Sequence, residues 1–152
     1  MLSSLSQYHE NQAELICRSF LYWLKRPLIV PSDCLGESLF EAPIVVVSHG
    51  IEANPIFNYA NRLALSLFKM NWDDFVLLPS EKSAEPLARS DRQRLLSTVD
   101  RKGYIIKYAG ERVDSLGQKF RISNGIVWNL VDQEGSLQGQ AACFDNWEKL
   151  KN

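Results

Sequence analysis

A chain of 152 residues, 45% hydrophobic and 23% charged, has the length and make-up of one globular domain, able to bury about two thirds of its unfolded surface. Seventeen basic against eighteen acidic side chains leave a net charge of −1. There is no basic excess to neutralise a phosphate backbone, which argues against nucleic-acid binding.

Residues Ser6 to Leu24 place Leu15, Ile16, Phe20, Trp23 and Leu24 on one face of an amphipathic helix that Pro27 ends. The apolar stretch from Leu15 to Val30 does not read as a targeting segment. Arg18, Lys25 and Arg26 interrupt it, and Glu10 and Glu14 stand where a signal peptide carries positive charge. No run approaches the roughly 20 uncharged apolar residues of a transmembrane helix. Three widely spaced cysteines, Cys17, Cys34 and Cys143, suit a reducing compartment better than a disulfide framework. A cytoplasmic protein without membrane attachment is expected.

Pro31 to Ala42 reads as a connector with one apolar pair, Leu39 and Phe40. The unalternating run Ile44 to Ser48 predicts a strand covered on both faces. Asn54-Pro55 sets a turn, Ile56 to Tyr59 suits a second strand, and Asn61 fits the N-cap of a helix bearing Leu63, Leu67 and Met70. Asn71 caps a short turn anchored by Trp72 and Phe75; Asp73 and Asp74 suit its first positions as helix-start charge. Leu78 to Pro86 is loop, and Ser90 or Asp91 caps a helix that turns Leu95, Leu96 and Val99 inward and Arg92 and Arg94 outward. Gly103 sits where a helix end favours positive φ. From Tyr104 the period becomes that of strands: Tyr104 to Asp114, a turn at Ser115-Leu116-Gly117, Lys119 to Val131 with Gly125 as a bulge or close approach, a turn at 132–135, and Leu137 to Phe144.

A five-stranded antiparallel sheet interrupted after its second strand by short helices resembles the PAS fold. More closely, the chain resembles the MEKHLA domain, a PAS-related family. The resemblance is carried by Val47-Ser48-His49-Gly50, Asn54 to Arg62, Leu78-Pro79-Ser80, Ser83 to Pro86, Phe120-Arg121-Ile122, Val127 to Leu130 and Gly139 to Ala142. The expected architecture is α+β: a PAS-like five-stranded antiparallel sheet with short helices on one face and an N-terminal amphipathic helix. It divides into a helix and connector at 1–38, the MEKHLA/PAS-like domain at 39–146 and a tail at 147–152. The resemblance implies a regulatory or sensory module, found free-standing in bacteria and at the C-terminus of plant homeodomain-leucine zipper factors. Lacking a homeodomain and heptads, this chain inherits no DNA binding.

The cofactor is unassigned. A flavin photosensor of the covalent kind needs a cysteine, and a common haem sensor a histidine, in the region of Glu85 to Ser97, which has neither. No metal site is expected, since two histidines forty residues apart and scattered cysteines lack ligand spacing. No residue is assigned a catalytic role. His49, at the end of a buried strand, can titrate near neutral pH, but closing the strand-end turn through a backbone hydrogen bond is the commoner use of such a histidine. Nothing about Cys34 suggests a lowered pKa that would make it a nucleophile with His49 as base.

Arg121, Asn129 and Gln140 are polar residues set among apolar strand positions near Trp128. Buried polar groups need partners, so they face a polar ligand or satisfy one another. Three functional readings follow. A small-molecule-binding sensory module predicts a pocket lined by Tyr59, Trp72, Trp128 and Gln140, with His49, Arg121 and Asn129 as further candidates. A protein-interaction module, through a homodimer or a regulatory partner, predicts a filled core and an exposed apolar patch at Phe20, Trp23 and Leu24. A small-metabolite enzyme requires a His49 whose protonation matters and a neighbour to orient it.

Overall fold

The computed structural model describes residues 8–30, 32–83 and 89–151, with the backbone alone at 89–92. Helix α1 (Glu10–Leu24) buries Ala13, Ile16, Ser19 and Phe20. The residues expected to begin it, Ser6 and Gln7, lie outside those described. It ends before Pro27, because Lys25 turns left-handed (φ 61°) while its N–H still reaches the Leu21 carbonyl.

Helix α2 (Leu35–Phe40) replaces part of the expected connector. Six residues are too few to show a helical period. Its first turn is held from outside: the Glu10 carboxylate accepts the Gly36 N–H at 2.9 Å, satisfying a donor that a helix start leaves orphaned.

Strands β1 (Val45–His49), β2 (Phe57–Ala60), β3 (Tyr104–Val113), β4 (Lys119–Val131) and β5 (Leu137–Phe144) pair antiparallel in the order β2-β1-β5-β4-β3. A sixth strand, β6 (Asn146–Lys149), pairs with the first part of β4, from Phe120 to Ser123, and β5 takes the second part. Trp147 to Lys149, expected as part of a tail, therefore enter the sheet. Trp147 turns inward, edge-on to Phe144 at 5.9 Å, and its burial carries the strand on past the kink at Asp145.

Between β2 and β3 come α3 (Arg62–Phe68), α4 (Trp72–Phe75), a 3-10 turn at Ser80–Ser83 and α5 (Arg89–Lys102). Both asparagine caps form as expected: Asn61 Oδ1 accepts the Ala64 N–H at 3.2 Å and Asn71 Oδ1 the Asp74 N–H at 2.9 Å. The cap expected at Ser90 or Asp91 falls on side chains outside those described, as does Arg92. Asn61 does more than cap. Fully buried, it also accepts the Val46 N–H and donates to the Leu39 and Ile44 carbonyls. One amide thus joins α2, β1 and α3.

Strand alternation, reset by irregularities in β2 opposite His49 and in β4 between Ile122 and Gly125, sorts the core into two layers. On the front face Val45, Val47, Phe57, Phe120, Ile122, Val127 and Phe144 meet Phe68, Phe75 and Val99 of the short helices. On the back face Val46, Tyr59, Trp128, Leu130, Ala141 and Cys143 meet Ala13, Ile16 and Phe20 of α1 and Leu39 of α2. The double cover explains the unalternating apolar run of β1. The molecule is α+β, with the short helices between β2 and β3 on one face and the amphipathic α1, joined by α2, on the other. No described helix is long and apolar enough to cross a membrane.

Candidate functional site

His49, Gln140 and Asn129 lie abreast on β1, β5 and β4, paired in register as His49 with Gln140 and Gln140 with Asn129. Their side chains face α5. Gln140 Nε2 points at three acceptors, Asn129 Oδ1 and Asp100 Oδ1 at 3.0 Å and the Leu96 carbonyl at 3.3 Å. That set fixes the amide's orientation, because a flipped carbonyl would face three lone pairs. Asn129 Nδ2 donates to the Val99 carbonyl at 3.1 Å. His49 Nδ1 lies 3.0 Å from the Gly50 carbonyl, so the neutral ring carries its proton on Nδ1. Strands β1 and β5 come this close because residue 139 is glycine: a Cβ there would run into the His49 carbonyl.

Beside this file is a cavity of about 60 Å³, walled by Val47, Phe57, Leu95, Tyr108, Ile122 and Phe144 among others. It has room for only a few water-sized molecules, whereas sites for drug-sized ligands run to roughly 300–1,000 Å³. A second hollow of about 200 Å³ shares His49, Leu96 and Gln140 with the first and is bordered by Glu52, Asp100 and Leu137.

The sheet divides the expected pocket. Gln140 and His49 border the cavity, but Tyr59, Trp72 and Trp128 belong to the back layer. Trp128 precedes Asn129 on one strand, so the two point to opposite faces and cannot line one pocket. Trp128 donates Nε1–H to the Ile16 carbonyl at 3.3 Å and meets Phe20 edge-on at 4.9 Å. Tyr59 lies edge-on to Trp72 at 5.8 Å, and Trp72 stacks on His9 at 3.7 Å. These aromatics are the seat of α1. Arg121 is exposed, 3.6 Å from Glu111 across β3 and β4, and borders neither of the two hollows beside Gln140.

The expected apolar patch is largely consumed by the same seat. Phe20 is fully buried, Trp23 donates to the Asn129 carbonyl at 2.9 Å and covers Gly103, and Leu24 is half-buried. The exposed apolar side chains at that end are instead Leu21 and Tyr22, with Tyr104 and Ile106 on β3.

Two thiols are inert toward nucleophilic chemistry. Burial, reinforced by the Glu10 charge, pushes Cys17 up to about 12, and burial pushes Cys143 up to about 12 against the opposing charge of Arg26. Among the described residues no three His, Cys, Asp or Glu side chains gather closely enough to hold a metal ion.

Sequence reasoning missed Asp100 and Glu52. Asp100 sits on an exposed helix position like any solvated carboxylate, and Glu52 in a turn. Only the packing of α5 on β5 brings Asp100 to Gln140, and the turn after β1 sets Glu52 on the border of the same hollow.

This sheet order, with short helices between the second and third strands, defines a PAS-type fold. A PAS domain from Colwellia psychrerythraea aligns with a TM-score of 0.63 at 10% identity, covering 75% of this chain and 92% of its own. A light-oxygen-voltage domain studied with a flavin analogue gives 0.60 at 14%, covering 77% and 84%. The LOV domain of the blue-light photoreceptor Aureochrome1 gives 0.54 at 17%, covering 83% and 89%. No curated protein matches in sequence. The MEKHLA domain model matches residues 10–149, and the chain belongs to that family.

Proposed function

We propose that this chain is a non-enzymatic sensory or regulatory module of the cytoplasm. It takes up a small ligand between the sheet and α5 and signals by association with a protein partner, a second copy included. The observation that carries this reading is the hydrogen-bonded file of Gln140 and Asn129, which ties the cavity floor to the backbone of α5. A ligand beside Gln140 touches sheet and helix together, and an apolar wall with a few convergent polar groups is the usual composition of a ligand site. Three cysteines without a disulfide suit the cytoplasm.

Native mass spectrometry of the protein from its own host, set against the denatured mass, tests the reading. A mass excess is expected, lost on denaturation and absent from Ala142→Leu, which adds bulk to the cavity wall. A bare native mass overturns it.

A protein-interaction module without a ligand is favoured by the small cavity and by exposed Tyr22 and Tyr104 beside Trp23, with exposed Ile106 two residues along β3. Tyr22→Glu tests it by loss of association, since Tyr22 stands clear of the core while Trp23 does not. An enzyme working through His49 would require that His49→Ala leave the fold intact and abolish a measurable turnover.

A further inference from the structure

We infer that the ligand of this site is a small amphiphile with a cationic nitrogen head, a primary alkylamine in its simplest form, the ammonium sitting at the mouth against Gln140, Asp100 and Glu52. This rests on the ligand-binding reading above and adds the ligand's chemistry.

The mouth is the hollow of about 200 Å³ that shares His49, Leu96 and Gln140 with the inner cavity. Among its described lining residues the carboxylates of Glu52 and Asp100 are the formal charges, and no lysine or arginine joins them. Neither carboxylate forms an ion pair with a described residue. Asp100 uses Oδ1 to accept from Gln140, and Glu52 uses Oε1 to accept the Ile56 N–H at 3.2 Å, so each keeps a second oxygen.

Gln140 adds an independent argument. It is 5% exposed, all its N–H capacity goes to Asn129, Asp100 and Leu96, and no described residue donates to its Oε1. Gln140 borders both hollows, and its Oε1, which solvent reaches, is open to a donor from a ligand.

The mouth therefore offers acceptors and calls for donors. An ammonium brings three N–H groups and the opposite charge, whereas a carboxylate head would meet like charge and lone pairs. Arg112, on the inner cavity wall, does not border the mouth: it donates to the Glu111 carbonyl and lies over the Tyr108 ring at 5.5 Å. Behind the mouth, Val47, Leu95 and Phe57 suit a short alkyl chain.

The test is calorimetric titration with n-butylamine (charged at neutral pH), n-butanol and butanoate. Saturable binding is expected to be tightest for the amine and lost in Ala142→Leu. It should weaken as salt is added, and about three- to fivefold in each of Asp100→Asn and Glu52→Gln, the range for an exposed ion pair. Equal or tighter binding of the alcohol or the carboxylate, at a site that Ala142→Leu closes, overturns the cationic head and leaves the ligand cavity standing. Absence of binding by all three overturns the inference, and the native mass then decides the cavity separately.

Discussion

Gln140 donates to Asn129 at 3.0 Å straight across β5 and β4, and each amide also bonds the backbone of α5. The pair packs α5 onto the sheet by hydrogen bonds where the rest of the front layer uses apolar contact. Asn129→Ala removes two buried hydrogen bonds, the one from Gln140 and the one to the Val99 carbonyl, at a cost of about 1–3 kcal/mol. Urea denaturation measures the loss, and hydrogen exchange should quicken first in α5. An unchanged midpoint would mean that the pair is energetically idle.

Asn61 makes four hydrogen bonds from a fully buried position. Each contributes about 1 kcal/mol net, and the cap alone is of similar size. Asn61→Ala is expected to cost about 3–4 kcal/mol, a large part of the stability of a domain this size. The thermal midpoint reports it, and a shift equal to that of an ordinary surface cap would refute the account.

Phe20→Ala opens a hole between α1 and Trp128 and should cost about 3–5 kcal/mol without changing the oligomeric state seen by size exclusion. Were Phe20 part of a seam between copies, association would fall at little cost to each protomer's fold.

Asp114 supplies the pH dependence. Burial pushes its carboxyl up, but the Gln118 N–H, the Lys69 ammonium at 3.1 Å and the Leu116 N–H together outweigh this and hold it below its ordinary value of 3.8. A depressed folded pKa gives stability that is full above that ordinary value and fades as pH falls through the lower, folded one. Asp114→Asn should therefore be less stable than wild type at neutral pH, by about 1–2 kcal/mol for the lost charge-assisted bonds. The two should converge in acid, as denaturation at a series of pH values would reveal.

Most of the fold was legible because its signals are local. Asn61 and Asn71 cap, Gly103 takes φ 95°, and β4 and β5 run as their alternation predicts. What escaped depends on distant partners. Helix α2 needs the Glu10 carboxylate to hold its start, and β6 needs the burial of Trp147. The site was half legible. The polar positions Asn129 and Gln140 signalled a buried pair, and they do meet. The aromatics nearest them in sequence did not follow, since residues adjacent on a strand face apart. Tyr59 and Trp128 were spent on α1, whose apolar stripe gives no sign of which sheet face it covers.

Asn129 is also where the two layers of the molecule rest on one residue. Its N–H donates to the Gly103 carbonyl at 2.8 Å and its side chain to that of Val99, both at the end of α5, while its own carbonyl holds the Trp23 indole of α1. The residue is a fulcrum through the thickness of the sheet. A tilt of α5 pulls on the N–H side of this one residue, and the anchor of α1 hangs from its carbonyl side.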